Sequence, residues 1–223
     1  MKIKQFSVLA IGFLSLLLVG PGLAGTIHRD FPAAIDPDGI YVFYSHGAIV
    51  EGGNPKPKHA KWGIYDFPVI RRDLADSGFE VIAWHRAQKT DPAQHAKTLV
   101  EQVNKLLDAG VEPNRITLLG FSKGGYISAL ASSEIDEAIN VIFLATCGKW
   151  VKNSPDISLH GNFLSIYETS DSVGSCKKLA ENSPDLVSFE EISISTGLSH
   201  GAFYRPLDDW MKPVTDWIQA KAK

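Results

Sequence analysis

The sequence predicts an α/β fold built on a mostly parallel sheet of about six strands with helices on both faces. Three observations predict it. Short runs rich in Val, Ile and Phe alternate along the chain with segments of helical period. Most of those runs are apolar on both parities, as strands covered on both faces must be. Residues able to do chemistry come directly after the runs, at what becomes one end of the sheet.

The N-terminus stands apart. Lys2 and Lys4 precede an apolar run from Phe6 to Val19, and then come Gly20, Pro21, Gly22, Leu23 and Ala24. A charged start, a short apolar middle and small residues describe a secretory signal peptide over residues 1–24, cleaved after Ala24. The run is short for a membrane span, which needs about 20 residues. An uncleaved anchor is the alternative. The absence of a Cys at the cleavage point argues against a lipoprotein. Residues 25–223 then form a single domain, exported to the periplasm or beyond, with no stable membrane insertion once the leader is removed.

Six runs read as strands. IYVFYS (Ile40 to Ser45) is the first, and FEVIAW (Phe79 to Trp84), RITLLG (Arg115 to Gly120), NVIFLA (Asn140 to Ala145), NFLSIY (Asn162 to Tyr167) and VSFEEISI (Val187 to Ile194) are the rest. Between them lie helices. One covers Ile64 to Asp76. The clearest runs from Asp91 to Ala109, with Pro92 at its first position, apolar residues from Ala96 to Leu107 at helical spacing, and Gly110 ending it. A small-faced helix covers Gly124 to Ser133. Leu207, Trp210, Met211, Val214, Trp217 and Ile218 mark a C-terminal helix that Pro213 should start or kink.

The residues just beyond the strands carry the chemistry. His46, Gly47 and Ala48 come after the first strand, His85 and Arg86 after the second, Ser122 and Lys123 after the third. Cys147 comes after the fourth, Glu168 and Asp171 after the fifth, and His200 after the sixth. A hydroxyl, a carboxylate and an imidazole therefore meet at one sheet end in the order Ser122, Asp171, His200. A Ser hydroxyl is a weak nucleophile at neutral pH, so it needs a base, and the base needs an orienting acid. Glu168 is the alternative acid.

These residues resemble the α/β-hydrolases: a strand, the turn G-F-S-K-G (Gly120 to Gly124) and a helix, then an acid after a later strand and a His in the last loop. The resemblance runs from Ile40 to the C-terminal helix and is strongest to small, cap-poor members, the dienelactone-hydrolase-like proteins and small esterases. It implies Ser122 as nucleophile, His200 as base and Asp171 as its partner. It also implies an oxyanion hole of the Lys123 and Ala48 backbone N–H groups. The family's N-terminal antiparallel hairpin has little sequence to occupy here and is expected to be reduced or absent.

Other expectations concern substrate and stability. The polar loop from Glu51 to Gly63 is expected to form one wall, with Trp62 and Tyr65 offering flat surface. His46, Trp62, His85 and Arg86 are expected to touch substrate, and His85, Arg86 and Lys123 to favour an anionic one. In an oxidising compartment the two cysteines, Cys147 and Cys176, are expected to pair, bracing the loop that bears Asp171, with two free thiols as the alternative. A net charge of −3 gives no electrostatic case for nucleic acid. No metal-ligand spacing or dinucleotide fingerprint is present, so no cofactor is expected. The function expected is hydrolysis of a small carboxylic ester through an acyl-enzyme. A peptidase or thioesterase using the same groups, or a catalytically silent binding protein, is the alternative.

Overall fold

A computed structural model describes residues 24–223. The expected signal peptide, Ala24 apart, lies outside the described residues. Among the described residues no helix is long and apolar enough to cross a membrane.

In chain order the strands are β1 (Ile27–His28), β2 (Tyr41–Ser45), β3 (Lys58–His59), β4 (Gly63–Ile64), β5 (Glu80–Ile82), β6 (Ile116–Phe121), β7 (Asn140–Leu144), β8 (Gly161–Glu168) and β9 (Leu186–Ile194). The helices are α1 (Phe67–Asp76), α2 (Pro92–Asp108), α3 (Lys123–Ser132), α4 (Lys149–Lys152), α5 (Lys177–Glu181) and α6 (Asp208–Lys221). Seven strands form one sheet in the order β1-β5-β2-β6-β7-β8-β9, with each pairing parallel. All six expected strands are present, joined by a short further edge strand, β1. It pairs Ile27 and His28 with Val81 and Ile82, and two residues are too few to carry a readable period. β3 and β4 form a separate antiparallel ribbon within the polar loop.

The alternation within strands explains why both faces are covered. On β2, Val42 and Tyr44 join the core beneath α1 and α6, whereas Tyr41 and Phe43 join the core beneath α2 and α3. β7 does likewise, with Ile142 and Leu144 on the first side and Val141 and Phe143 on the other. Helix starts obey local chemistry. Asp91 accepts from the Gln94 N–H at 2.8 Å, and Pro92 occupies the first turn of α2. α1 begins later than its apolar pattern suggests, because Gly63 and Ile64 pair in the ribbon and Asp66 takes the cap. Pro213 lies inside α6 rather than at its start.

Successive connections run outward from the middle in two directions, β2 to β5 one way and β6 to β7, β8 and β9 the other. The direction reverses between β2 and β6, where an open parallel sheet leaves a crevice beyond the strand ends. α3 packs into that reversal at very short range. A Cβ added at Gly124 would lie 1.8 Å from the Ser45 carbonyl oxygen, and one at Gly125 would lie 1.8 Å from Thr146 Oγ1. The first obstacle is backbone of the central strand β2, so α3 would have to retreat. Gly124→Ala is expected to cost about 3 kcal/mol in urea unfolding. A wild-type midpoint would show that α3 is free to shift.

Candidate active site

Ser122 sits between β6 and α3 with φ 53° and ψ −118°. A non-glycine residue there stores of order 1–3 kcal/mol of strain unless its surroundings hold it. They do: its N–H donates to the Leu144 carbonyl at 3.1 Å and its carbonyl accepts from the Tyr126 N–H at 3.1 Å. Ala145 (φ 44°) and Ser199 (φ 53°) are also left-handed, so three of the four non-glycine residues of positive φ among the described residues fall at this end of the sheet.

His200 lies in the turn after β9, and its Nδ1 is 2.6 Å from Asp171 Oδ2 in the loop after β8. The imidazole packs 4.8 Å from the Phe121 ring, the residue before Ser122, and 5.1 Å from the Trp62 ring. The Asp171–His200 pair thus lies against the residue that precedes Ser122. The end of β2 comes close as well. A Cβ built on Gly47 would lie 3.8 Å from Ser122 Cβ. Ala48 opens a single turn of 3₁₀ helix there, and Lys123 opens α3. Neither backbone N–H donates to a protein acceptor among the described residues. Two open donors therefore flank Ser122, one at a helix N-terminus, where partial positive charge accumulates.

Glu168, the alternative acid, does other work. It is fully buried. Oε2 accepts from the Ser170 N–H at 2.7 Å and from the Ser170 hydroxyl. Oε1 accepts from the Thr196 and Gly197 N–H groups, each at 2.9 Å, and from the Thr196 hydroxyl at 3.4 Å. One carboxylate so ties the loop carrying Asp171 to the loop carrying His200. Burial pushes its pKa up, but the donors outweigh burial and hold it below the ordinary carboxylate range. Its place at the end of β8 is readable in sequence, but its partners come from a distant segment.

Two expected substrate contacts, His46 and Arg86, need correction because they are buried. His46 is wholly buried: its Nε2 accepts from the Arg86 N–H at 3.2 Å, so Nδ1 carries the proton and donates to the Gly47 carbonyl at 2.8 Å. Burial, then the Arg86 charge, lowers its pKa to about 3, so the ring is neutral. Arg86 is also buried and donates from Nη2 to the His46 carbonyl at 2.5 Å. His85, half-buried, has its Nδ1 3.1 Å from the Val50 carbonyl. All three brace the turn that holds Ala48. Tyr65 is likewise internal, hydroxyl to hydroxyl with Tyr44. Trp62 alone of the expected contacts lies against His200.

The expected cationic mouth is partly offset by a carboxylate. Glu51, in the polar loop, places Oε1 2.7 Å from Lys123 Nζ and 3.5 Å from Arg86 Nε. The angles are poor for hydrogen bonds, so the contacts are charge pairing. A glutamate in a Gly-rich turn gives no signal of this partnership. Cys147 and Cys176 form a disulfide with Cα atoms 5.1 Å apart, joining the segment after β7 to the loop after β8. No group of His, Cys, Asp and Glu among the described residues is placed to hold a metal ion.

The fold is the α/β-hydrolase fold. A solved esterase of the bacterial hormone-sensitive lipase family matches with TM-score 0.59 and 14% identity, over 86% of this chain and 80% of that one. The monoacylglycerol lipase of Paleococcus ferrophilus matches with TM-score 0.54 and 12% identity, over 81% and 94%. A bifunctional GH43-CE protein of Bacteroides eggerthii matches with TM-score 0.54 and 17% identity over 84% of this chain, which spans only 35% of that protein. No family model and no curated protein matches the sequence.

The loop ties make two stability predictions. Glu168→Gln sets an NH₂ against N–H donors and is expected to cost about 3 kcal/mol. The folded pKa of Glu168 is depressed, so its stabilisation is present above the unfolded value and lost as pH falls through the folded one. Urea unfolding from pH 7 down to 3 should show a weaker acid dependence in the variant, and parallel curves would contradict the clamp. Replacing both cysteines by Ser should cost about 3–4 kcal/mol for a separation of 29 residues. Unchanged stability would show that the bridge braces nothing.

Proposed function

We propose that the protein is a serine hydrolase that cleaves small carboxylic esters through an acyl-enzyme. The observation that carries this is the Asp171–His200 pair beside a serine held at positive φ and flanked by two open N–H donors. His200 takes the proton from Ser122 Oγ as Oγ bonds to the ester carbonyl carbon. The carbonyl oxygen becomes an oxyanion, met by the Ala48 and Lys123 N–H groups. Asp171 holds the ring with Nδ1–H toward it and stabilises the imidazolium. As the intermediate collapses, the ester C–O bond breaks and the leaving alkoxide takes its proton from His200. Water, deprotonated by the same imidazole, then hydrolyses the acyl-enzyme and frees Ser122.

The solved proteins of like fold include ones named as esterases and lipases, which accords with this reading. The partner is a small ester; nothing in the charge distribution favours nucleic acid. The chain is proposed to be exported, with residues 25–223 as the mature single domain after cleavage behind Ala24.

Hydrolysis of p-nitrophenyl butyrate tests the reading. Ser122→Ala is expected to lower kcat/KM by at least about 10⁴-fold, and Asp171→Asn by about 10³- to 10⁴-fold, with the fold retained by circular dichroism. Wild-type turnover in Ser122→Ala would overturn it.

A further inference from the structure

A trough of about 360 Å³ opens at Ser122, a size suited to a small ligand. Tyr126 of α3, Ala145, Val151 and Val173 line it. Trp150 completes it. This tryptophan is 89% exposed, the most exposed large apolar side chain in the described residues, and it stands on the four-residue helix α4. Beyond Trp150 lies a second depression of about 410 Å³, lined by Lys149, Asn153, Ser154 and Pro155. Tyr126 and Trp150 line both, so the indole is the ridge that separates them.

Three features say what the trough takes. First, its walls are apolar, and the one charged residue lining it, Lys123, has its ammonium on Glu51. A carboxylate entering here would meet a lysine already paired with a carboxylate. Second, His200 does not line it; the imidazole lies instead against Phe121 and Trp62. The leaving group must stay within reach of His200, which protonates it, so the trough receives the other half of the ester. Third, the Cys147–Cys176 bridge joins the segment bearing Trp150 and Val151 to the loop bearing Val173, fixing the spacing of the two. An exposed indole beside a reactive serine loses contact with water only when a ligand covers it, and apolar surface of that kind marks binding.

We propose that this trough binds the acyl half of the substrate, that the acyl group is uncharged, apolar and longer than acetyl, and that Trp150 is the side chain that sets the preference for length. The proposal rests on the serine hydrolase reading above. It replaces the expectation of an anionic substrate drawn from His85, Arg86 and Lys123.

The test measures kcat/KM for p-nitrophenyl acetate, butyrate and octanoate and for the p-nitrophenyl half ester of succinate, in wild type and Trp150→Ala. Wild type is expected to favour octanoate over acetate by about tenfold or more, from burial of the added methylenes. The succinate half ester should fall about tenfold below butyrate, since its carboxylate would be desolvated without a partner. In Trp150→Ala the octanoate-to-acetate ratio should drop at least about fivefold, because the ridge is gone and the chain loses one wall. Turnover of acetate with no gain for octanoate, an unchanged ratio in Trp150→Ala, or a succinate half ester as good as butyrate would each overturn the proposal and leave the hydrolase reading standing. No turnover of any ester by the wild type would overturn both.

Discussion

Helix α3 packs so closely on the exit of β2 that one methyl group at Gly124 would lie 1.8 Å from the Ser45 carbonyl oxygen. The site is a consequence of that approach. A strand can feed a helix pressed this hard against its neighbour only through a sharp turn, and Ser122 takes the turn at φ 53°. The same contact brings Gly47, which precedes the turn after β2, beside Ser122. The backbone of Ser122 and the nearness of the turn after β2 are then two results of one packing constraint. The strain is held by hydrogen bonds to Leu144 and from Tyr126, and by the dense aromatic layer of Tyr65, Phe121 and Tyr204 beneath.

Buried charge is managed by a second set of contacts. Arg86 and Lys123 share Glu51, and Glu168 is surrounded by backbone and hydroxyl donors. Removing charges from water is costly unless partners compensate, so these groups serve where they fix geometry. Arg86 and His46 fix the turn bearing Ala48, and Glu168 fixes the spacing of the loops bearing Asp171 and His200. The consequence is electrical as well as mechanical. Lys123 beside Ser122 is paired with Glu51, and the trough that opens at Ser122 is mostly apolar.

Much of this is legible in the sequence because it depends on local pattern. The strand runs, the cap at Asp91 and Pro92, the Gly-rich turn around Ser122 and the order Ser122, Asp171, His200 need only short-range reading. The pairing of Cys147 with Cys176 needs only that their strands be neighbours. The features that escape a reading of the sequence depend on distant segments meeting. Two residues at Ile27 carry no period, yet they pair because β5 offers an open edge. His46 and Arg86 look like a polar strand exit in sequence, but neither can be seen to close on the other across a separation of 40 residues. Glu51 reads as a loop residue until α3 brings Lys123 to it. Trp150 is ordinary in composition, and only its exposure marks it out.

The proposed function comes down to one chemical claim: among the hydroxyls of the described residues, Ser122 is the one expected to react as an activated nucleophile. The direct measurement is to treat the folded protein with a fluorophosphonate and locate the adduct by peptide mass mapping. One adduct per chain, on the peptide containing Ser122 and lost on prior acid unfolding, is the predicted result. No adduct on folded protein, or an adduct on another residue, would contradict it.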